Sequence, residues 1–217
     1  MKTPREIYAA YKTMPNLQLH QLRVAAVGKL ICDGFTKSIN TRDVILACLF
    51  HDMGNILKFN YDAIPEALEP EGRAYWERVR SDFSLKYGTK VREATNVIVR
   101  EIGLSEHITS LLDGVGFSQL KEILAEESYE RKIIEYADCR VSPYGIVSVR
   151  ERFAEGRTRY QDRYASSKEL NAHYDDFAKA GYAIEQQIFE NATIKPEDIN
   201  DATVAPLIEE LWEYPVS

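Results

Sequence analysis

Four side chains with coordinating or acid–base chemistry, His20, His51, Asp52 and Asp138, stand on helix faces that are otherwise apolar. His20 shares its face with Val24, Val27 and Ile31 on successive turns, His51 comes after Val44, Ala47 and Cys48, Asp52 after Ile45 and Cys48, and Asp138 one turn after Ile134. A carboxylate buried there without a partner would protonate, so a cation or basic group is expected beside it. Asp138 also falls near a helix C-terminus, where the backbone dipole disfavours negative charge. Two imidazoles and two carboxylates make a mixed nitrogen and oxygen donor set. It suits manganese, iron, cobalt, nickel or zinc better than magnesium, which prefers oxygen ligands and water.

Two helices must bring the imidazoles together. The first runs from about Asn16 to Ile31, with Leu19, Leu22, Val24, Val27, Leu30 and Ile31 as its apolar stripe and Gly34 as a stop signal. The second starts at Asn40-Thr41, a capping pair with Asp43 in the first turn, and runs to His51-Asp52. As an antiparallel pair, the chain descends about 18 Å from His20 to Cys32 and climbs about 15 Å from Thr41 to His51, which puts both histidines at one level. Further helical segments are expected over Arg73 to Tyr87, Lys90 to Ile102, Glu106 to Leu112, Gln119 to Glu126, Tyr129 to Val141, Ser148 to Tyr164, Lys168 to Phe189 and Val204 to Trp212. Almost no stretch alternates as a strand should, so the fold class is all-α and a β-sheet is not expected. The loop Phe59 to Gly72, with Pro65 and Pro70, comes directly after the His-Asp pair and is a candidate lid. Ser142-Pro143-Tyr144-Gly145 reads as a turn, and Gly114-x-Gly116 is too isolated to mark a phosphate loop.

The chain of 217 residues is one domain's length. A core spans about residues 16–165 and a helical extension about 166–217. With 45% hydrophobic and 28% charged residues it matches globular composition, and it contains neither a bilayer-spanning run nor a signal-peptide core, so a soluble cytoplasmic protein is expected. Cys32, Cys48 and Cys139 are odd in number and widely spaced, against a disulfide framework. The net charge of −7 disfavours membranes and nucleic acid as partners. Arg150, Arg152, Arg157, Arg159 and Arg163 are interleaved with Glu151, Glu155 and Asp162, with Glu155 and Arg159 spaced to pair along a solvated helix. His173 reads as surface, and Cys139 points away from its neighbour Asp138. A homodimer is a candidate assembly.

The order His20, then Leu49-Phe50-His51-Asp52-Met53-Gly54-Asn55, then Tyr136-Ala137-Asp138 resembles the HD-domain superfamily of metal-dependent phosphohydrolases, over roughly His20 to Tyr160. The resemblance implies an HD-like helical bundle in which His20, His51, Asp52 and Asp138 hold one divalent metal. It also implies hydrolysis of a phosphate ester, often a nucleotide, by a metal-activated water. Catalytic candidates are then Asp52 and Asn55. Phosphate-binding candidates are Arg23, one turn beyond His20, with Lys58 and Arg140; Asn55 faces the same cleft and can hydrogen-bond substrate, though it cannot act as acid or base. Relatives that dephosphorylate nucleoside monophosphates carry a glutamate where Asn55 stands, and many others a lysine. Members with two metals place more histidines before the last aspartate, whereas this span holds only His107, expected to be exposed, so one metal is favoured. The alternative is a regulatory module that binds a nucleotide without turning it over.

Overall fold

Apolar residues at the helical period build nearly everything that positions the four side chains. The computed structural model describes residues 2–159 and 168–216, without the side chains of Arg159 and residues 168–172; the expected Asp162 and Arg163 charges lie outside this range. Among the described residues the chain is all-α, with eleven α-helices. A helix that the sequence pattern did not single out, α1 (Pro4–Ala10), opens with a reciprocal cap in which Glu6 N–H donates to Thr3 Oγ1 and Thr3 N–H donates to the Glu6 carboxylate.

The helices that carry the histidines are α2 (Pro15–Gly34) and α3 (Thr41–Phe50), the latter ending at His51. His20 meets His51 at one end of the pair, and Gly28 meets Val44 and Cys48 nearer the other, so the helices run antiparallel. Gly28 permits the close approach: a Cβ there would lie 3.1 Å from Cys48 Sγ. Every residue of α3 from Val44 to Phe50 is buried. Such a helix is enclosed on all sides, so its last turn delivers the next two residues, His51 and Asp52, into the interior.

α4 (Arg73–Tyr87), α5 (Val91–Ile102), α6 (Glu106–Asp113), α7 (Leu120–Ala125) and α8 (Tyr129–Cys139) come next, close to their expected bounds. α8 packs on both α2 and α3, which brings Asp138 to the histidines. The expectation of no strand is corrected by a small hairpin, β1 (Val141–Ser142) paired antiparallel with β2 (Gly145–Ile146). Its turn, Ser142 to Gly145, is legible in the sequence, but two-residue strands are too short to show alternation. α9 (Val149–Arg159) leads on to α10 (Lys168–Phe189) and α11 (Asp201–Trp212), which close the chain. Within α9, Glu155 lies 2.7 Å from Arg152.

The loop after the His-Asp pair is fastened down rather than free to act as a lid. Arg80 donates to the carbonyls of Ile56 and Phe59 and lies over the Tyr61 ring, while Tyr61 OH donates to Trp76 O and Trp76 Nε1–H to Leu68 O. Tyr61 and Trp76 are buried. The C-terminal part shares the core of the rest: α10 lies on α7, α8 and α9, and α11 on α2. No helix is long and apolar enough to cross a membrane among the described residues.

Arg140 ties these parts together. Buried behind α8, it donates through Nε to Val147 O at 2.5 Å, through Nη1 to Tyr136 OH at 2.7 Å and Pro196 O at 3.2 Å, and through Nη2 to Ile199 O at 2.8 Å. Arg140→Met would leave these buried acceptors without a donor and is expected to cost roughly 2–4 kcal/mol. Urea denaturation of the purified variant measures this.

Candidate functional site

Two helices and one turn converge. His20 stands on α2, His51 and Asp52 in the turn that ends α3, and Asp138 in the last turn of α8. His20 Nε2 lies 3.1 Å from Asp138 Oδ1 and 3.7 Å from Asp52 Oδ2; His51 Nε2 lies 3.6 Å from each of the same two atoms. A cation about 2.1 Å from each donor requires neighbouring donors roughly 3.0–3.4 Å apart, which these separations approach. Donor atoms of His20, His51 and Asp52 all fall within 4.8 Å of one another, and Asp138 joins them through its contacts with both imidazoles. The cluster is closed beneath and open above: the His51 side chain is 5% exposed and that of Asp138 30%.

The bonds around His51 decide what its ring can do. Its Nδ1 lies 2.8 Å from Cys48 O, an acceptor in the last turn of α3. With the proton on Nδ1 donated to that carbonyl, Nε2 carries a lone pair directed at the two carboxylates. Nε2 is buried and has no hydrogen-bond partner. This arrangement, one ring nitrogen committed to a backbone carbonyl and the other free toward carboxylates, is how metal-ligating histidines are held. His20, His51 and Asp52 therefore form a His-His-Asp set that could hold a metal ion.

Without such an ion, protons meet the same electrostatic demand. Burial works against a charged His51, but the Asp52 and Asp138 carboxylates outweigh it and push His51 up to about 9. Burial likewise opposes ionisation of Asp138, yet His20 and His51 hold its carboxyl well below the usual carboxylate range.

Other candidates divide. Asn55 is buried one turn past the pair, its N–H donating to Asp52 O at 2.9 Å and its Oδ1 without a partner. Arg23 is half-buried and Lys58 exposed. Arg140 is corrected: its guanidinium faces away and is consumed by the backbone bonds behind α8, leaving nothing for a phosphate. His107 lies apart, half-exposed, between Asp43 at 2.7 Å and Glu130 at 3.3 Å.

Three residues that the sequence pattern did not single out surround the cluster. Gln21, fully buried, accepts from Asp52 N–H through Oε1 at 3.2 Å. Thr95 Oγ1, on α5, accepts from Gly54 N–H at 3.0 Å. Glu135, buried on α8, accepts from Gly116 N–H at 2.6 Å, and its burial together with the nearby Asp138 charge pushes it up to about 8. The one available signal was a polar residue inside an apolar stretch, as Gln21 is beside Leu22 and Glu135 beside Ile134.

These shifts set a pH dependence. His51 binds its proton more tightly folded (about 9) than unfolded (6.5). Its contribution to the stability of the ion-free protein is therefore complete below about pH 6.5 and lost as the pH rises through 9. Glu135, also raised, adds to the same decline between 4.5 and about 8. The melting temperature of chelator-treated protein should fall across that range, and Glu135→Gln should flatten the part below about pH 8; thermal melts in a pH series give the slopes. Compared with known proteins, this chain matches no family model, no curated protein and no solved structure.

Proposed function

We propose that the chain is a metal-dependent phosphohydrolase acting on a small phosphorylated metabolite, with a nucleotide as the favoured substrate class. The observation that carries this reading is the buried, unpartnered Nε2 of His51, aimed at two carboxylates beside a second imidazole. The resemblance of His20, His51-Asp52 and Asp138 to the HD-domain pattern supports it. His20, His51, Asp52 and Asp138 would hold one ion of manganese, iron, cobalt, nickel or zinc. When bound, such an ion supplies a water of lowered pKa and polarises a phosphoryl oxygen.

The chain's own groups do the rest. Arg23 and Lys58, neither in an ion pair with another described residue, would offer cations to the phosphate. Asn55 offers a buried amide oxygen that is unpartnered and suited to a water or a substrate hydroxyl. His51, with Nδ1–H held by Cys48 O, would turn Nε2 to the ion as a ligand, the ion displacing the proton that the two carboxylates otherwise favour there. No side chain needs to form a covalent intermediate.

Asn55 also favours a second reading, a module that binds a nucleotide without turnover, because an amide cannot exchange protons as the glutamate of resembling enzymes does. Phosphate release from a nucleotide panel with added Mn²⁺ separates the two. Hydrolysis is expected in the wild type and is lost with chelator or in Asp138→Ala. Nucleotide-induced thermal shifts without phosphate release would select the second reading, and neither response would sink both. Arg23→Ala should raise KM about tenfold or more through loss of a charge-assisted hydrogen bond, while Mn²⁺ content by elemental analysis stays unchanged.

A further inference from the structure

The turn that carries His51 and Asp52 is held from two helices besides the one it ends. An α-helix normally passes the N–H of a residue to the carbonyl four positions before it, which would give Asp52 N–H to Cys48 O. Here the Cys48 carbonyl accepts from His51 Nδ1 instead, and Asp52 N–H donates to Gln21 Oε1 at 3.2 Å across the α2–α3 interface. Two residues on, Gly54 N–H donates to Thr95 Oγ1 at 3.0 Å. Both acceptors are buried, Gln21 at 0% exposure and Thr95 at 3%. Gly54 is pressed onto α5 so closely that a Cβ would lie 2.4 Å from Val91 O. The turn is thus gripped from two helices, at N–H groups on either side of Met53.

Resting on the metal reading above, we propose that Gln21 and Thr95 are positioning residues that preset the His51-Asp52 pair for the ion. The physical reason is economy of alternatives. A turn N–H left to water can rotate its peptide plane, and with it the Asp52 carboxylate, out of reach of His20 and His51. An N–H paired with a buried acceptor resists that rotation, since leaving the buried acceptor unpaired costs about 1–3 kcal/mol. Gln21 also neighbours His20 in sequence, so one stretch of α2 supplies a ligand and orients two others. Outer partners of this kind typically change metal affinity 10–100-fold, by the general pattern for metal sites.

The test is Mn²⁺ titration calorimetry on the chelator-stripped full chain, comparing wild type with Gln21→Leu, Thr95→Val and Thr95→Ser. Leucine and valine keep volume and remove the acceptor; serine restores the hydroxyl. Expected is an affinity loss of about 10–100-fold in Gln21→Leu and Thr95→Val, with Thr95→Ser near the wild type. If Gln21→Leu does not fold, the Thr95 pair alone decides. Wild-type affinity in the folded Val variant, with only its melting temperature lowered, would overturn the positioning role and leave the metal reading intact. A wild type that takes up no Mn²⁺, under conditions where it remains folded, would overturn both.

Discussion

Two carboxylates facing two imidazoles at the end of an apolar helix hairpin are the constraint on which the site depends. Asp52 and Asp138 share the same imidazole nitrogens, and Asp138 also sits at the negative end of α8. Neither charge is tolerable there without positive charge between them. Protons on the imidazoles meet the demand in one way and a divalent cation in another. The bond from His51 Nδ1 to Cys48 O fixes the orientation of the ring in either case and adds to its hold on a proton.

The surroundings keep that charge simple. Burial raises Glu135 to about 8 and pushes the thiols of Cys48 and Cys139 well up, so burial favours the neutral form of each ionisable group behind the cluster. With neutral imidazoles the cluster carries two negative charges, matched in magnitude by a divalent cation. A third ionised carboxylate at Glu135 would unbalance it. Glu135 instead spends its oxygens on Gly116 N–H and Cys139, a structural use of the loop containing Gly114 and Gly116.

The same economy appears in the cations. Arg140 stands two positions after Asp138, so its side chain leaves the opposite face of the helix, and the carbonyls of Val147, Pro196 and Ile199 claim it. Arg23, about a turn from His20 on the same helix, is half-buried. Proximity in sequence predicted both equally; helical phase distinguishes them only once the partners of each face are known. Likewise Tyr61, Trp76 and Arg80 fasten the loop after the turn to α4.

Much of this was determined by the residues alone. The helical period of apolar groups produced α2 through α10 within a few positions, and the exceptional polar groups on those stripes, His20, His51, Asp52 and Asp138, identified the cluster because burying them unpaired is costly. Signals that repeat every turn, or that violate such a repeat, survive without coordinates. What depended on the tertiary structure was every bond made across elements: Asp52 N–H to Gln21, Gly54 N–H to Thr95, Arg140 to the C-terminal carbonyls, and the short β1–β2 pairing. Glutamine and threonine carry no charge to betray them, and a hydrogen bond between residues far apart in the chain has no period. Only packing decides which acceptor meets which donor.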